Sequence, residues 1–367
     1  MSGCFGTRLK LAIFGESHGP AIGVTLDGLP PGLELDMPFI ESEMARRAPG
    51  QSPLSTTRKE ADAPEILSGI LDGVTTGAPL CAVIRNTSQR SRDYGNLGDL
   101  VRPGHSDYTG HVRYFGYNDV RGGGHFSGRI TAPLVFAGAI CKQLLMKRGV
   151  EVFSHAQRLA GIQDEGFLET QADRQTLREL RKERLAVLRK ERLPEMEQAI
   201  LTAKRAGDSV GGVIECMALG LPAGLGAPFF DSVESVLSHM LFSVPAVKGV
   251  EFGMGFAMCD LKGSECNDPF DVQQGRVVTE TNRCGGILGG ITTGMPLVFR
   301  VAVRPTASIL MRQQTVSLER MQQEPLTVHG RHDPCIVPRA LPVIEAATAI
   351  VLEDLLLQRD GEHPVQS

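Results

Sequence analysis

The sequence has no excess of positive charge and so lacks the basic surface of a protein that coats nucleic acid. Its 367 residues carry a formal net charge of −4, and the pI is near 6.2. Nucleic-acid-binding proteins usually neutralise phosphates with clustered lysines and arginines. We therefore expect no nucleic-acid partner, and we expect local arginines to bind any anionic ligand.

Long apolar runs are also missing. The opening stretch MSGCFGTRLKLAIFGESHG has no apolar core followed by a small-residue cleavage site. No uninterrupted apolar run approaches the roughly 20 residues of a membrane span. These absences predict a cytoplasmic protein with no membrane partner.

Several common site signatures are absent. The eight cysteines include no C-x-x-C pair, so we expect reduced, mostly buried thiols rather than a zinc or redox site. His105, His111 and His125 lack the spacing of a metal-binding pair such as H-E-x-x-H, and no metal site is predicted. No G-x-G-x-x-G opens a βαβ unit and no G-x-x-x-x-G-K-S/T is present, which argues against Rossmann and P-loop enzymes.

Two helices are indicated in the first half. DMPFIESEMARRAPG predicts a short helix that is capped by Asp36 and carries Arg46 and Arg47 to its C-terminal end. Residues 127–148 keep apolar side chains at helical spacing with little charge, which predicts a buried central helix.

The second half alternates β-rich runs with short helices, so that each half of one domain, residues 1–367, could supply one sheet. Residues 172–205 combine dense alternating charge with helical spacing and predict a charged helical arm, broken near Pro194. Residues 342–359 predict an amphipathic helix, and residues 356–367 a frayed tail.

Five turns marked by glycine or proline carry arginines and proton-transferring side chains. They are GESHG at 15–19, RPGHSD at 102–107, RGGGHFSGR at 121–129, RPTAS at 304–308 and GRHDP at 330–334. Arginine presents a planar fork to carboxylates and phosphates, and glycine-rich loops let backbone N–H groups approach anionic oxygens. Together the turns predict a site for a polyanion, in which histidines and an aspartate move protons.

GESHG also matches G-x-S-x-G, the nucleophile elbow of α/β-hydrolases, so a serine hydrolase built on Ser17 is one alternative. In those folds the elbow follows several strands of the sheet. Here a single predicted strand precedes Ser17, which argues against the hydrolase.

Six stretches together resemble the chorismate synthase family: GESHG, RPGHSD, RGGGHFSGRITA, NRCGGILGGITTG, RPTASI and GRHDPC. They occur in the family's order from about residue 8 to residue 354. The resemblance implies an α/β fold of the α+β sandwich type, in which a central helical layer packs between two antiparallel sheets. It also implies a homotetramer.

The resemblance further implies a lyase that converts 5-enolpyruvylshikimate 3-phosphate to chorismate and phosphate by anti-1,4-elimination. Reduced FMN is required although there is no net redox change, because transient electron donation eases departure of the allylic phosphate. No separate flavin-reductase domain is visible, so an external flavin reductase is expected to supply reduced FMN. A flavin- or phosphate-binding protein without catalysis is a further alternative.

Three residues take catalytic roles by this resemblance. His18 would donate a proton to the leaving phosphate, and His105 would hold the reduced flavin in its reactive protonation state. Asp333 would accept a proton through flavin nitrogen 5 as the carbon 6 hydrogen leaves. The opening turn would then supply an acid rather than a nucleophile.

The resemblance also implies two sets of binding residues. The substrate would be bound by Ser17, Arg47, Arg58, Arg102, Arg129 and Arg331. FMN would be held by His125, Phe126, Ser127, Ala246, Gly289, Arg304, Pro305, Thr306, Ala307, Ser308 and Arg331.

This chain departs from the commoner family pattern at three places. His125-Phe126-Ser127-Gly128-Arg129 stands where many members read R-S-S-A-R, so one arginine and one serine contact to the cofactor change. Arg304 replaces a lysine, which keeps the charge and changes its geometry. Pro53 lies near the place where an arginine often follows the P-G at 49–50.

Overall fold

A computed structural model describes residues 3–50, 54–56, 60, 62–87, 98–170, 172–330 and 332–362. Its architecture rests on two five-stranded antiparallel sheets. The first sheet is built from residues before 86 and the second from residues after 150, which confirms that each half of the chain supplies one sheet.

The first sheet has the strand order β1-β2-β3-β7-β4. In its central strand, the side chains of Ile22, Val24 and Leu26 alternate inward and are fully buried. The strands of this half are β1 Cys4–Phe5, β2 Lys10–Gly15, β3 Ala21–Asp27, β4 Pro64–Ser68, β5 Ile70–Leu71, β6 Val74–Thr75 and β7 Leu80–Arg85. The short strands β5 and β6 form a separate hairpin.

The second sheet has the strand order β11-β16-β10-β8-β9. Three further hairpins, β12–β13, β14–β15 and β17–β18, form separate two-stranded sheets. The strands of this half are β8 Glu151–Leu159, β9 Ile162–Gln163, β10 Gly212–Leu219, β11 Val247–Phe252, β12 Phe270–Gln273, β13 Arg276–Thr279, β14 Ile287–Leu288, β15 Ile291–Thr292, β16 Leu297–Val303, β17 Gln313–Ser317 and β18 Gln322–Leu326.

The helices are α1 Met37–Arg47, α2 Asp107–Arg113, α3 Thr131–Lys147, α4 Arg174–Leu180, α5 Leu193–Arg205, α6 Val233–Ser243, α7 Gly263–Cys266 and α8 Val337–Gly361. The predicted cap of α1 is confirmed, because the Asp36 carboxylate accepts a hydrogen bond from the Phe39 N–H at 2.9 Å. Two 3-10 turns, Gly124–Phe126 and Gly128–Ile130, precede α3, so the predicted central helix begins later than residue 127.

The layer between the sheets consists mainly of α3 and α8, which pack on each other. At their crossing, a Cβ on Gly138 would lie 2.3 Å from the Cβ of Ala346, so only glycine permits this approach. Helix α3 also contacts β3 and β7, and α8 contacts β8 and β10. The predicted sandwich of helices between antiparallel sheets is therefore confirmed.

The burial of α3 distinguishes it from a membrane-spanning helix. The stretch Gly128–Lys147 has the length and apolar composition of a membrane span, but 89% of its most apolar window lies inside the protein. It is a core helix, as its sequence predicted.

The structure corrects the prediction of an amphipathic C-terminal helix. Every side chain from Leu341 to Leu356 is buried, so α8 is enclosed on all faces rather than amphipathic. Its acidic side chains are enclosed too: Glu345 pairs with Arg46 and Lys142. The helix also runs to Gly361, so the tail predicted over 356–367 is helical at least that far, and residues 363–367 lie outside the described residues.

Three of the eight cysteines are buried, fewer than the sequence predicted. Cys141, Cys216 and Cys335 are enclosed, and burial raises the pKa of each thiol. The other five are exposed or partly exposed.

The charged segment 172–205 contains α4 and α5, separated by an irregular stretch before Pro194. Leu177, Met196 and Ile200 are buried on its inner side. Its role as a peripheral arm, like the single domain of residues 1–367, stays a prediction.

Candidate active site

A cavity of about 1100 Å³ lies between the first sheet, the start of α3, the end of α6 and the start of α8. Most of the predicted site residues line it, although they come from distant parts of the chain. They are His18, Arg47, Arg102, His105, His125, Phe126, Ser127, Arg129, Ala246, Arg304, Pro305, Thr306, Ala307, Ser308 and Asp333.

Four predicted site residues are not in that lining. Ser17 is buried beside His18, and Gly289 lies in the turn of the β14–β15 hairpin. Arg58 and Arg331 lie outside the described residues. The substrate and cofactor roles of all four stay predictions.

The opening turn, residues 15–19, presents a histidine to the cavity and buries its serine. Ser17 Oγ lies 3.1 Å from His18 Nδ1, and the Ser17 N–H donates to the Gly124 carbonyl at 3.1 Å. A Cβ on Gly122 would lie 2.0 Å from His18 Cε1, so the histidine fits only beside glycine. A nucleophile elbow exposes its serine, whereas Ser17 is only 1% exposed. The hydrolase alternative has no support in this geometry.

The RPGHSD turn forms a compact network on another wall. His105 Nδ1 lies 2.6 Å from Asp107 Oδ1, and Arg102 Nε donates to Asp107 Oδ2 at 2.7 Å. Burial of Asp107 opposes ionisation, but the hydrogen bonds from Arg102 and His105 outweigh it and hold the pKa of this carboxyl well below its usual range. Asp107 is therefore a carboxylate at neutral pH.

Two of the predicted substrate-binding arginines share one buried carboxylate. Arg47 donates to Asp62 Oδ2 at 2.7 Å, and Arg129 donates to Asp62 Oδ1. The Arg129 side chain is nearly buried, yet its NH2 nitrogen has no hydrogen-bond partner among the residues that the structure describes. A buried guanidinium nitrogen without a partner at a cavity wall indicates an anionic ligand.

Positive charge is concentrated around this pair. Burial and the nearby charges of Arg339 and Arg129 lower the pKa of Arg47 to about 10, and Asp62 only partly offsets them. Arg47 still carries its charge at neutral pH. Burial alone would raise the pKa of Asp62, but Arg47 and Arg129 hold it below its usual value.

Asp333 is held at the start of α8. Its carboxylate accepts a hydrogen bond from the Thr56 N–H at 2.8 Å and pairs with Arg339. Arg339 also lines the cavity and donates from Nε to the Arg47 carbonyl at 2.9 Å. The predicted base thus stands beside a guanidinium that orients it.

The 304–308 loop is hydrogen-bonded to the RPGHSD turn. Arg304 donates to the Gly104 carbonyl, and Arg102 donates to Ser308 Oγ at 3.2 Å. The Thr306 hydroxyl is buried and has no hydrogen-bond partner in the described part of the chain. This loop therefore offers an unused polar group to a ligand.

The structure defines the contacts of His125 and Phe126, where this chain departs from the commoner family pattern. His125 Nδ1 lies 2.8 Å from the Gly15 carbonyl, which fixes one ring nitrogen as a donor to the backbone. The Phe126 ring packs near Tyr114, with centroids 6.1 Å apart. Both side chains still line the cavity.

Sequence reasoning missed three charged residues here: Asp62, Asp107 and Arg339. Asp107 lies inside the quoted RPGHSD motif, so its signal was available. Arg339 follows Asp333 by six residues, and only the helix start at Val337 brings the two together. Asp62 lies in a stretch without a distinctive pattern.

An arginine-lined cavity with histidines and a carboxylate at its walls is typical of an enzyme site for an anionic small molecule. The profile described as "Chorismate synthase" matches residues 9–357. The chain is 46% identical to "Chorismate synthase" of Thermococcus kodakarensis over 96% of its own length and 97% of that protein. It is 47% identical to "Chorismate synthase" of Dehalococcoides mccartyi over 98% and 97% of the two chains.

A solved structure titled "Crystal Structure of Chorismate Synthase" matches with a TM-score of 0.75 at 30% identity, over 97% of this chain and 93% of the other. The chain belongs to the chorismate synthase family, and it is an enzyme of the lyase class. The resemblance seen in the six sequence motifs is confirmed.

Proposed function

We propose that this enzyme converts 5-enolpyruvylshikimate 3-phosphate to chorismate by a reduced-FMN-dependent anti-1,4-elimination, the last common step toward aromatic amino acids. The carbon–oxygen bond to phosphate and a carbon 6–hydrogen bond break, a new ring double bond forms, and inorganic phosphate leaves. The observation that carries the proposal is the cavity itself. Its described lining includes five arginines, Arg47, Arg102, Arg129, Arg304 and Arg339, in a chain of this family.

The positive charges of the lining arginines complement the negative charges of the substrate, which carries two carboxylates and a phosphate. Arg129 offers an unpartnered NH2 nitrogen, and Arg47 and Arg102 are held rigidly by carboxylates behind them. Because these guanidinium groups are already oriented, less conformational entropy is lost when an anion binds.

The residues also fit FMN. The Thr306 hydroxyl and the Arg304 guanidinium are suited to anionic or polar oxygens of a cofactor, and both lie in the cavity lining. Apolar side chains, among them Leu11, Ile13 and Leu134, line it as well. When bound, reduced FMN supplies the transient electron donation that eases departure of the allylic phosphate.

The chain's own residues would manage the protons. His18, which is buried beside Ser17 at the cavity wall, would donate a proton to the leaving phosphate. Asp333 pairs with Arg339, which orients its carboxylate, and it would accept the carbon 6 proton. His105 presents its ring to the cavity, where it would hydrogen-bond the bound cofactor.

The test is an anaerobic assay with purified protein, chemically reduced FMN and 5-enolpyruvylshikimate 3-phosphate, following chorismate absorbance and phosphate release together. We expect equal amounts of both products and none without reduced flavin. H18A and D333N should retain flavin binding and lose turnover by about 100-fold or more. H111A, which changes a histidine outside the described lining, should keep both flavin binding and turnover. Binding of FMN and substrate without either product would favour the non-catalytic alternative.

Two further proposals concern partners. We propose that a separate reductase supplies reduced FMN, and oxidation of NAD(P)H by the pure protein with FMN would contradict this. We also propose a homotetramer, because Phe229, Phe230 and Phe256 are each more than 80% exposed. Light scattering after gel filtration tests the assembly. The cytoplasmic location stays a prediction, which fractionation of cells tests.

A further inference from the structure

Asp107 lies directly behind the cavity wall formed by Arg102 and His105. Its carboxylate accepts hydrogen bonds from the Arg102 backbone N–H at 2.9 Å, from Arg102 Nε at 2.7 Å and from Arg102 NH2 at 2.8 Å. His105 Nδ1 completes the set at 2.6 Å. Arg102 and His105 line the cavity, whereas Asp107 is not part of the described lining. One carboxylate thus fixes two groups that can touch a ligand.

We propose that Asp107 is a positioning residue for the elimination: it holds His105 with Nδ1 toward the protein and Nε2 toward the cavity. This inference rests on the proposed function. A histidine that donates Nδ1–H to a carboxylate is fixed in one tautomer and one orientation. The polar contacts of His105 with described residues all involve Nδ1, and the contact with Asp107 is the shortest of them, so Nε2 is left for a ligand.

The surroundings of the ring agree with this orientation. A Cβ on Gly123 would lie 3.4 Å from His105 Nε2, so the glycine backbone borders the ring on that side without a side chain over it. Asp107 is only 10% exposed, and Arg102 is 2% exposed, so water does not compete strongly for the hydrogen bonds between them.

A second aspartate–histidine pair in the same chain provides a contrast. His155 Nδ1 lies 3.2 Å from Asp164 Oδ2, and His155 Nε2 lies 2.9 Å from Glu215 Oε2. Both ring nitrogens are occupied and the ring is fully buried, so this pair joins parts of the fold. The pair at His105 keeps one nitrogen for a ligand, which is the difference between a positioning contact and a structural one.

The experiment compares D107N, H105A, the double variant and D164N under anaerobic conditions with saturating reduced FMN. We expect D107N to lower kcat by up to about 100-fold. At saturating substrate the double variant should have a kcat close to that of H105A, because Asp107 acts on kcat through that ring, whereas loss of its hydrogen bonds to Arg102 should raise KM. D164N changes the equivalent carboxylate of the structural pair, and it should lower the melting temperature while leaving kcat near the wild-type value.

A second readout does not depend on turnover. Nuclear magnetic resonance of isotope-labelled histidine should show His105 protonated at Nδ1 in the wild type, with a changed tautomer in D107N. Any of three results would overturn the inference: wild-type kcat in D107N, a kcat in the double variant well below that of H105A, or an unchanged tautomer. If the wild type itself forms no chorismate while the tautomer changes as expected, the proposed function fails and the positioning contact stands.

Discussion

Glu353 is a buried carboxyl with no hydrogen bond to either oxygen among the described residues, and replacing it with glutamine should stabilise the protein at alkaline pH. It is fully enclosed in α8, and its nearest cation, Arg148 NH2, lies 3.9 Å away. Burial raises the pKa of Glu353 from 4.5 to about 7, and Arg148 only partly offsets this. The folded state therefore favours the protonated form, so that stability falls as pH rises from 4.5 to about 7.

The difference between 4.5 and about 7 corresponds to roughly 3 kcal/mol of unfolding free energy. Urea denaturation of wild type and E353Q, at one protein concentration and from about pH 5 to about pH 8, measures it. We expect E353Q to gain nearly this amount relative to wild type across the range, since other groups titrate equally in both proteins. Equal slopes for the two proteins would refute the reasoning.

E345Q is the matched control, because Glu345 lies in the same helix and is equally buried but paired with Arg46 and Lys142. Burial alone would raise the pKa of Glu345, but those two cations hold it well below its usual value. The variant should therefore be destabilised at neutral pH, by about 3 kcal/mol, because Arg46 and Lys142 are then left to share the single carboxylate of Glu43.

Three further predictions concern the cavity. D62N should destabilise the protein by about 3–5 kcal/mol, measured by denaturation, because Arg47 and Arg129 lose their shared carboxylate; an unchanged midpoint would contradict this. R129K should raise the KM for substrate by roughly 10-fold or more, since lysine cannot provide the unpartnered second nitrogen of the guanidinium; steady-state kinetics decides. G122A should displace His18 and reduce kcat more than flavin affinity, and parallel losses of both would argue for general disruption.

The sequence predicted the layers and most of the cavity lining because their signals are local. Helical spacing marks α3, and glycine-rich turns mark the loops that carry His18, His105 and Arg304. Those turns also had to meet in space. Their arginines and histidines together predicted one polyanion site, and the family resemblance then assigned a role to each residue.

The partners of the site residues could not be found in this way. Asp62 lies far from Arg129 in the chain, and their pairing depends on how the first sheet and α3 pack. Similarly, acids at positions 345, 353 and 354 suggested a solvated face for α8. Tertiary contacts bury this face instead, since the Asp354 carboxylate accepts hydrogen bonds from the backbone N–H groups of Thr7, Arg8 and Leu9.

The central layer has a consequence for the order in which the chain can become structured. Helix α8 supplies half of that layer and comes last in the chain, yet it packs on α3 and on strands of the second sheet. Contacts between such distant segments form only after a large loss of chain entropy. A nascent chain that ends before Val337 leaves the apolar side of α3 uncovered and lacks Arg339. Synthesis must therefore pass through α8 before the complete core and cavity exist, and a chain that ends before Val337 should yield neither a partly active enzyme nor a stable first half.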